Sequence, residues 1–219
     1  MQPIDDIQIN AYHSGVKLTA MDVMLSQKQI DLVGKGNYVL DIGCNDGSLT
    51  QEIAKNNKTV GLELSKGAVD LAKKKGLDVE QGSVYALPFE NETFDVVHFS
   101  EVIEHLLDTN KALQEIYRVL KKGGKLVVTT PNCCSFRDRI LVLFGHLQAY
   151  AQHTEHVRLF NLARLKKHLI NANFEIEKIA GSGFSVPLGS GRATFTCSLD
   201  NFLPPTLLQR LVVIANKPK

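Results

Sequence analysis

The sequence predicts an α/β fold in which a mostly parallel β-sheet carries helices on both of its faces. Between residues 38 and 130, short apolar runs typical of strands alternate with segments whose apolar residues have helical spacing. The run Phe94–Ser100 is almost continuously apolar, as expected for a strand that is buried on both faces. The run Tyr38–Ile42 leads into a loop with two glycines and then a helical pattern from Ser48, which is the first half of a βαβ unit.

The composition predicts a single domain over residues 1–219, in the cytoplasm. The chain has 219 residues and 44% of them are hydrophobic, so it can bury one substantial core. Its 25 basic and 23 acidic residues leave a net charge of +2, which argues against a nucleic-acid partner or a charged membrane surface. No apolar stretch approaches the ~20 residues that span a bilayer, and no secretory signal is recognisable. The four cysteines lack a C-x-x-C spacing, which favours reduced thiols.

The loop after the first strand indicates a ligand site, because glycines let backbone approach a ligand and the following helix offers free N–H groups. A dinucleotide fingerprint counted from Gly43 needs glycine at Asn45 and Ser48, and neither is glycine. Asp41, Gly43 and Gly47 instead fit acid-x-Gly-x-Gly-x-Gly, with Asn45 in place of one glycine. Asparagine tolerates left-handed backbone, and the nearby acids would repel a pyrophosphate but not an ammonium or sulfonium group. An ordinary strand-to-helix turn is the alternative.

An acid also ends the second predicted strand, which runs over residues 58–64. Glu63 lies 22 residues after Asp41, and ligands of parallel sheets sit beyond the carboxyl ends of the strands. The two oxygens of a glutamate can accept both hydroxyls of a ribose. A solvated carboxylate is the alternative, but the preceding loop favours ribose binding by Glu63.

The fourth predicted strand delivers the segment Ser100-Glu101-Val102-Ile103-Glu104-His105-Leu106 to the same edge of the sheet as the Gly43 loop. Glu104 and His105 are candidate general bases there. If the turn is helical, Glu101, Glu104 and His105 share a face through their i, i+3, i+4 spacing. Two carboxylates and an imidazole could bind a divalent cation, or could form a capping network at a helix start. Both interpretations stay open, and no metal ligand is assigned.

The remaining elements complete an alternating pattern. The predicted helices cover residues 66–75, 113–120 and 162–169, and the predicted strands cover 78–82, 125–130, 174–179 and 210–216. The connection from Gly181 to Pro205 is long for a compact domain and is a candidate for the substrate entrance.

Six short motifs in fixed order carry a resemblance to a known family over residues 38–132. They are Asp41-Ile42-Gly43-Cys44-Asn45-Asp46-Gly47, Gly61-Leu62-Glu63, Leu87-Pro88-Phe89, Phe94-Asp95-Val96-Val97, Glu101-Val102-Ile103-Glu104-His105-Leu106 and Leu120-Lys121-Lys122-Gly123-Gly124. This ordered set resembles class I S-adenosylmethionine-dependent methyltransferases of the type 11 group, which includes the ubiquinone-biosynthesis O-methyltransferases. The resemblance implies a Rossmann-like, seven-stranded, three-layer fold whose last strand is antiparallel.

The resemblance also implies which residues hold S-adenosylmethionine. The loop would hold the methionine end, Glu63 the ribose, and Ser83 and Val84 the adenine, with Ser100 beside the cofactor. The implied cofactor-binding set is Asp41, Gly43, Cys44, Asn45, Gly47, Glu63, Leu64, Ser83, Val84 and Ser100. The family usually has an acid at the position of Ser83, so the chain departs from the pattern there and at Asn45.

Two segments lie on either side of the region that carries these motifs. Residues 1–37 have an apolar helical face and are interpreted as a helical lid that brings Tyr12 or His13 to the ligand, or as a surface helix on the core. Residues 131–160 interrupt the alternating pattern and are interpreted as a helical insertion over the substrate site, although core packing also explains their apolar stripe. His153 and His156 could accept a proton or orient the substrate, or could simply bond to loop backbone.

These observations predict methyl transfer by in-line displacement at the sulfonium to a small-molecule acceptor, linked through oxygen or carbon. Because the reagent is already activated, alignment of donor and acceptor is the main task of the protein. The candidate catalytic residues are Glu104, His105 and His156. A cofactor-binding regulatory module without catalysis is the first alternative, and a nucleotide-dependent oxidoreductase is disfavoured by the missing glycines. The oligomeric state is left open, and no nucleic acid and no membrane span are expected.

Overall fold

The computed structural model describes residues 20–146, 155–188, 193–197 and 200–219. The helices are α1 (Ala20–Val33), α2 (Ser48–Ala54), α3 (Lys66–Lys74), α4 (Thr109–Val119), α5 (Phe136–Leu143) and α6 (Leu162–Asn171). The strands are β1 (Tyr38–Ile42), β2 (Lys58–Glu63), β3 (Val79–Gln81), β4 (Phe94–Ser100), β5 (Leu120–Pro131), β6 (Glu175–Ser182), β7 (Phe184–Leu188), β8 (Ala193–Cys197) and β9 (Arg210–Asn216).

Seven of these strands form one sheet in the order β3-β2-β1-β4-β5-β9-β6. The pairs from β3 to β5 are parallel, whereas β9 runs antiparallel to both β5 and β6. The prediction of a seven-stranded, mostly parallel sheet with an antiparallel last strand is therefore confirmed. β7 and β8 form a separate antiparallel pair within the connection from Gly181 to Pro205, where no strand was predicted.

The two faces of the sheet are covered by different helices. On one face, β1, β4, β5 and β9 pack against the apolar sides of α4 and α6 in the largest buried cluster. On the other face, α1 and α2 cover a smaller cluster that includes Val33, Val39, Ile53, Val96 and Val127. Side chains alternate between faces along a strand, so residues 39 and 41 of β1 face the α1–α2 side. This alternation brings polar residues of neighbouring strands together under α1.

The parallel register places the carboxyl ends of β1, β2 and β4 side by side. Ile42 pairs with Leu62 and with Phe99, so the segments that follow these strands emerge at one edge. After β4 the chain turns sharply, because Glu101 has a left-handed φ of 53°, and then forms a short 3-10 turn over Ile103–His105. Such a backbone conformation is uncommon for a non-glycine residue and is frequent at functional sites.

The flanking segments are only partly described. α1 packs on the sheet, and none of the described residues that line the cavity at the carboxyl edge comes from it. The interpretation of residues 1–37 as a lid, with Tyr12 and His13, otherwise falls on residues outside the described part. In the insertion, α5 ends at Leu143, and residues 147–154, including His153, are also outside it. Among the described helices, none has the length and apolar character that crossing a membrane requires.

The close packing of β2 against the glycine-rich loop generates a stability prediction. A Cβ at Gly61 would lie 2.7 Å from Cys44 Sγ and 3.1 Å from Val79 Cγ2. We expect Gly61→Ala to lower the free energy of unfolding by ~1–3 kcal/mol, because overpacking strains a filled core. Chemical denaturation should show that this cost shrinks by about 1 kcal/mol in a Cys44→Ala background, where the nearest atom is gone.

The control is Gly67→Ala on the exposed side of α3, where an added Cβ would lie 3.9 Å from Ser65 Oγ. That change should be neutral or stabilising, since alanine has the better helix propensity. Equal costs for Gly61→Ala in both backgrounds would contradict this account of the packing.

Candidate functional site

A cavity of about 270 Å³ opens at the carboxyl edge of the parallel strands. Its walls come from the loop after β1, the end of β2, the segment 82–85, the turn after β4 and Glu155. Chain segments far apart in sequence meet here because each follows a strand of the same parallel group. Six of the ten residues predicted to bind cofactor line this cavity, namely Gly43, Asn45, Glu63, Leu64, Ser83 and Val84.

The glycine-rich loop has a repeating backbone conformation. Gly43, Asn45 and Gly47 have φ values of 74°, 49° and 77°, so every second residue of the loop is left-handed. Asn45 adopts the conformation that the family pattern usually gives to a glycine. At Gly43 a Cβ would lie 2.4 Å from Val102 Cγ2, so glycine is also needed there for the close approach of the turn after β4.

Glu63 connects this loop to the end of β2. Its Oε2 accepts a hydrogen bond from the Asn45 N–H at 3.0 Å, and its Oε1 accepts one from the Ser65 N–H at 2.9 Å. Each carboxylate oxygen has a second lone pair, so both can also accept from a ligand hydroxyl in the cavity. Glu63 therefore fixes the loop to the end of β2, and both of its oxygens keep a lone pair that could accept from a ligand.

The other four predicted cofactor-binding residues do not line the cavity. Asp41 is 3% exposed and accepts hydrogen bonds from Thr50 Oγ1 at 2.6 Å and from His98. Cys44 is buried against Gly61, and burial, followed by the charges of Asp41 and Glu63, raises the pKa of its thiol. A thiol that keeps its proton is a packing residue and not a nucleophile.

The other two of these four also have structural partners. A Cβ at Gly47 would lie 2.3 Å from Leu77 Cδ1, so this glycine lets the loop pack against the segment after α3. Ser100 Oγ is 2.8 Å from Thr129 Oγ1 on β5. Their cofactor-binding roles stay predictions, as do those of the six residues that line the cavity.

All three candidate catalytic residues come together at the edge of the cavity. Glu104, His105 and His156 each offer one nitrogen or oxygen atom, and these atoms lie within 4.8 Å of one another. The rings of His105 and His156 have centroids 4.8 Å apart, and His105 lines the cavity. Glu101, which the helical spacing grouped with Glu104 and His105, is not part of this cluster, and its carboxylate contacts Arg210 and Thr129 instead.

Glu104 is an unusual carboxyl group. It is 2% exposed, its Oε2 accepts from Thr130 Oγ1 at 3.0 Å, and its buried Oε1 has no hydrogen-bond partner in the part of the chain that the structure describes. Burial, followed by the negative charge of Glu101, raises the pKa of Glu104 well above its ordinary value. The neutral form is favoured because an unpaired buried charge is costly.

The hydrogen bonding of His105 identifies the tautomer of its neutral ring. Nδ1 lies 3.0 Å from the carbonyl oxygen of Glu155. A carbonyl oxygen only accepts, so Nδ1 carries the hydrogen and the lone pair of the neutral imidazole is on Nε2. The ring can then accept a proton at Nε2.

Two arginines organise the turn, and the sequence analysis singled out neither. Arg158 donates from its backbone N–H to the carbonyl of Glu104 and from Nε to the carbonyl of Leu106, at 3.0 Å each. Arg210 of β9 holds the carboxylate of Glu101, with Nε 2.7 Å from Oε2. The isolated positive charge at the start of the predicted strand 210–216 was the available signal for Arg210, but only the topology brings it beside β4.

Comparisons with known proteins agree with this fold. Residues 40–128 match a family described as a methyltransferase domain. The "probable S-adenosylmethionine-dependent methyltransferase" of Mycolicibacterium smegmatis is 33% identical over 67% of this chain and 55% of its own length. A ubiquinone biosynthesis O-methyltransferase of Coxiella burnetii is 30% identical over 48% of this chain and 47% of its own length. The chain thus spans about half the length of the curated relatives it matches.

The fold is also that of solved structures. A methyltransferase from Archaeoglobus fulgidus, described as dependent on S-adenosylmethionine, superposes with a TM-score of 0.64. The match covers 89% of this chain and 94% of that chain at 18% identity, which supports the fold alone. Together with the glycine-rich loop and the acid at the end of β2, these matches confirm the resemblance that the ordered motifs carry. Residues 40–128 carry a methyltransferase domain, and over about two thirds of its length the chain is similar to a protein named as a probable S-adenosylmethionine-dependent methyltransferase.

Proposed function

We propose that this protein transfers the methyl group of S-adenosylmethionine to a small-molecule acceptor whose oxygen or carbon loses a proton during the reaction. The observation that carries the proposal is one shared cavity. Its wall holds Glu63 and the glycine-rich loop on one side and His105 of the Glu104–His105–His156 cluster on the other. A cofactor subsite beside proton-accepting groups suits an acceptor of this kind. The name of the similar Coxiella burnetii protein, a ubiquinone biosynthesis O-methyltransferase, supports the choice.

The cofactor would lie along the carboxyl edge. Glu63 would accept the two ribose hydroxyls, and the left-handed loop would pass close to the methionine end. Ser83 and Val84 would flank the adenine at the cavity wall. A serine hydroxyl can accept a hydrogen bond from the adenine amino group, although it lacks the charge of the carboxylate that the family usually has.

Methyl transfer needs alignment first. The sulfonium methyl is already reactive, so a cavity that fixes donor and acceptor in line supplies most of the required acceleration. The segment 105–107 contributes one histidine and two leucines to the wall of the cavity in which this alignment would take place.

The chemistry of the cluster favours histidine as the proton acceptor. A neutral Glu104 has no charge with which to draw a proton from the acceptor, whereas the Nε2 lone pair of His105 can accept one. His156 packs edge-on against His105 and would stabilise the charged ring or relay the proton. Glu104, which keeps its own proton, would not accept one from the ring.

A divalent cation is the second interpretation of the same three residues. The unpartnered Oε1 of Glu104 favours it, because a cation would give this buried atom a partner and displace the carboxyl proton. One carboxylate and two imidazoles suit Mn²⁺, Zn²⁺ or Fe²⁺ better than Mg²⁺. A bound cation would lower the pKa of an acceptor hydroxyl and so replace a general base.

A regulatory module that binds the cofactor without catalysis is the alternative function. It predicts binding of S-adenosylmethionine without turnover on any acceptor.

The ribose contact generates a binding prediction. We expect Glu63→Ala to weaken S-adenosylmethionine and S-adenosylhomocysteine by about thirty- to a hundredfold in calorimetric titration, since a charged acceptor of two hydroxyls contributes ~2–3 kcal/mol. Glu80→Ala, an exposed carboxylate on neighbouring β3, is the matched control and should bind like the wild type. Unchanged affinity of Glu63→Ala would remove this residue from the site, and absence of binding to the wild type would remove the cofactor.

The state of Glu104 generates a stability prediction in metal-free buffer. A pKa raised by folding means that the folded state holds a proton which the unfolded state releases, so this carboxyl makes stability fall as pH rises above its ordinary value. Glu104→Gln has no titratable carboxyl group at this position. Its melting temperature should therefore rise relative to that of the wild type as the pH is raised from about 5 to about 8. Glu80→Gln, which is exposed, should show no such trend. A constant difference for Glu104→Gln would mean that Glu104 is charged throughout.

The role of the imidazoles generates a catalytic prediction. With hydroxylated benzoates and hydroquinones as an acceptor panel, His105→Gln should lower kcat by about 10²–10⁴ and leave cofactor affinity unchanged. His146→Gln, an exposed histidine outside the cluster, is the control and should keep full activity. Equal kcat for His105→Gln and the wild type would contradict the assignment.

Chelation then separates the two interpretations. General-base catalysis predicts turnover that EDTA leaves unchanged. Cation-assisted catalysis predicts loss of turnover in EDTA, together with calorimetric binding of Mn²⁺ or Zn²⁺ that His156→Gln abolishes. No turnover with any acceptor, beside intact cofactor binding, would favour the regulatory alternative.

A further inference from the structure

Four buried polar side chains from four different elements form one hydrogen-bonded chain beneath the glycine-rich loop. They are Gln29 of α1, His98 of β4, Asp41 of β1 and Thr50 of α2, and each is at most 3% exposed. None of them lines the cavity, and the proposed mechanism uses none of them. Buried polar groups on central strands are costly unless each is paired, so a connected set of four requires an explanation.

The register of the sheet brings the two central members together. Asp41 and His98 are directly paired positions of the parallel strands β1 and β4, and both face the side covered by α1 and α2. His98 Nδ1 lies 2.7 Å from Asp41 Oδ1, and Thr50 Oγ1 donates to Asp41 Oδ2 at 2.6 Å. Both oxygens of the carboxylate are therefore occupied by protein donors.

The second ring nitrogen of His98 contacts helix α1. His98 Nε2 lies 2.7 Å from Oε1 of Gln29, an amide oxygen that only accepts. With the Gln29 amide oxygen facing Nε2 and the Asp41 carboxylate facing Nδ1, each ring nitrogen has an acceptor in front of it. This is the arrangement that would suit a ring with hydrogen on both nitrogens.

The other surroundings of His98 offer no competing charge. Among the described residues, α1 presents the neutral Gln29 amide, α2 the Thr50 hydroxyl, and β5 places Val127 at the position paired with His98. Asp41 on β1 is the charged group in contact with the ring.

We propose that His98 is a positioning residue for the cofactor loop, held as an imidazolium between Asp41 and Gln29 so that it ties helix α1 to the strand end from which the loop departs. Asp41 is two residues before Gly43, and Ile42 and Gly43 line the cavity. Docking of α1 through Gln29 therefore stabilises the carboxylate that anchors the loop. Cofactor binding and α1 docking are then coupled, because each favours the same arrangement of β1.

The first test reads the ring directly and does not depend on the proposed cofactor. In protein labelled with ¹⁵N-histidine, NMR at neutral pH should show hydrogen on both nitrogens of His98 in the wild type. In Gln29→Met, which keeps the side-chain volume but removes the acceptor, the ring should become neutral with hydrogen on Nδ1. A wild-type His98 with only one protonated nitrogen would overturn the proposal.

The second test reads the coupling and rests on the proposed cofactor site. Calorimetry should show that S-adenosylhomocysteine binds about three- to tenfold more weakly to Gln29→Met than to the wild type. This loss is expected because the variant removes one hydrogen bond to the ring and changes cofactor affinity only indirectly, through the loop. Gln27→Met, on the exposed side of the same helix, is the matched control and should bind like the wild type. Gln29→Glu, which keeps an acceptor oxygen, should retain both the imidazolium and the affinity, and covers the case in which Gln29→Met fails to fold.

The outcomes separate the two claims. Equal affinity of Gln29→Met and the wild type, with a changed ring, would overturn the coupling and leave the proposed function intact. Absence of cofactor binding to the wild type would overturn the proposed function and leave the NMR test of the ring in force.

Discussion

The register of β1 between β2 and β4 is the constraint on which the rest of the site depends. Because Ile42 pairs with Leu62 on one side and Phe99 on the other, three strand ends meet at one edge. The glycine-rich loop, Glu63 and the turn that carries Glu104 and His105 follow directly from those ends. A shift of one residue in this register would invert the faces of β1 and separate Asp41 from His98.

The carboxyl groups of Glu63 and Glu104 have different environments. Glu63 lies in the cavity wall with backbone donors on both oxygens, and that environment suits a charged carboxylate. Glu104 lies in the turn after β4, and one of its oxygens has no hydrogen-bond partner among the described residues, which favours the neutral form. The difference comes from hydrogen bonding and burial, not from residue type.

Much of the fold could be predicted because it rests on periodicity and local turns. Phe94–Ser100 and Arg210–Asn216 were placed correctly since each is a largely apolar run with clear ends. The β7–β8 pair was missed because its strands are short and lie in a connection rich in glycine and proline. Asn45 was interpreted correctly from its tolerance of left-handed backbone, which its φ of 49° bears out.

The candidate site was harder to predict where contacts are long-range. Helical spacing grouped Glu101 with Glu104, but a single left-handed residue breaks that face. His98 and Gln29 carried no motif, and their pairing follows only from strand register and the docking of α1. Arg210 lies more than a hundred residues from Glu101 in sequence, so only the antiparallel return of β9 brings the two together.

The most direct measurement is a crystal structure of the protein with S-adenosylhomocysteine. We expect both ribose hydroxyls to contact the Glu63 carboxylate. The adenine should lie beside Ser83 and Val84, and the sulfur should point toward His105. A ligand bound elsewhere, or bound in this cavity with its ribose away from Glu63, would contradict the assignment of the carboxyl edge as the cofactor site.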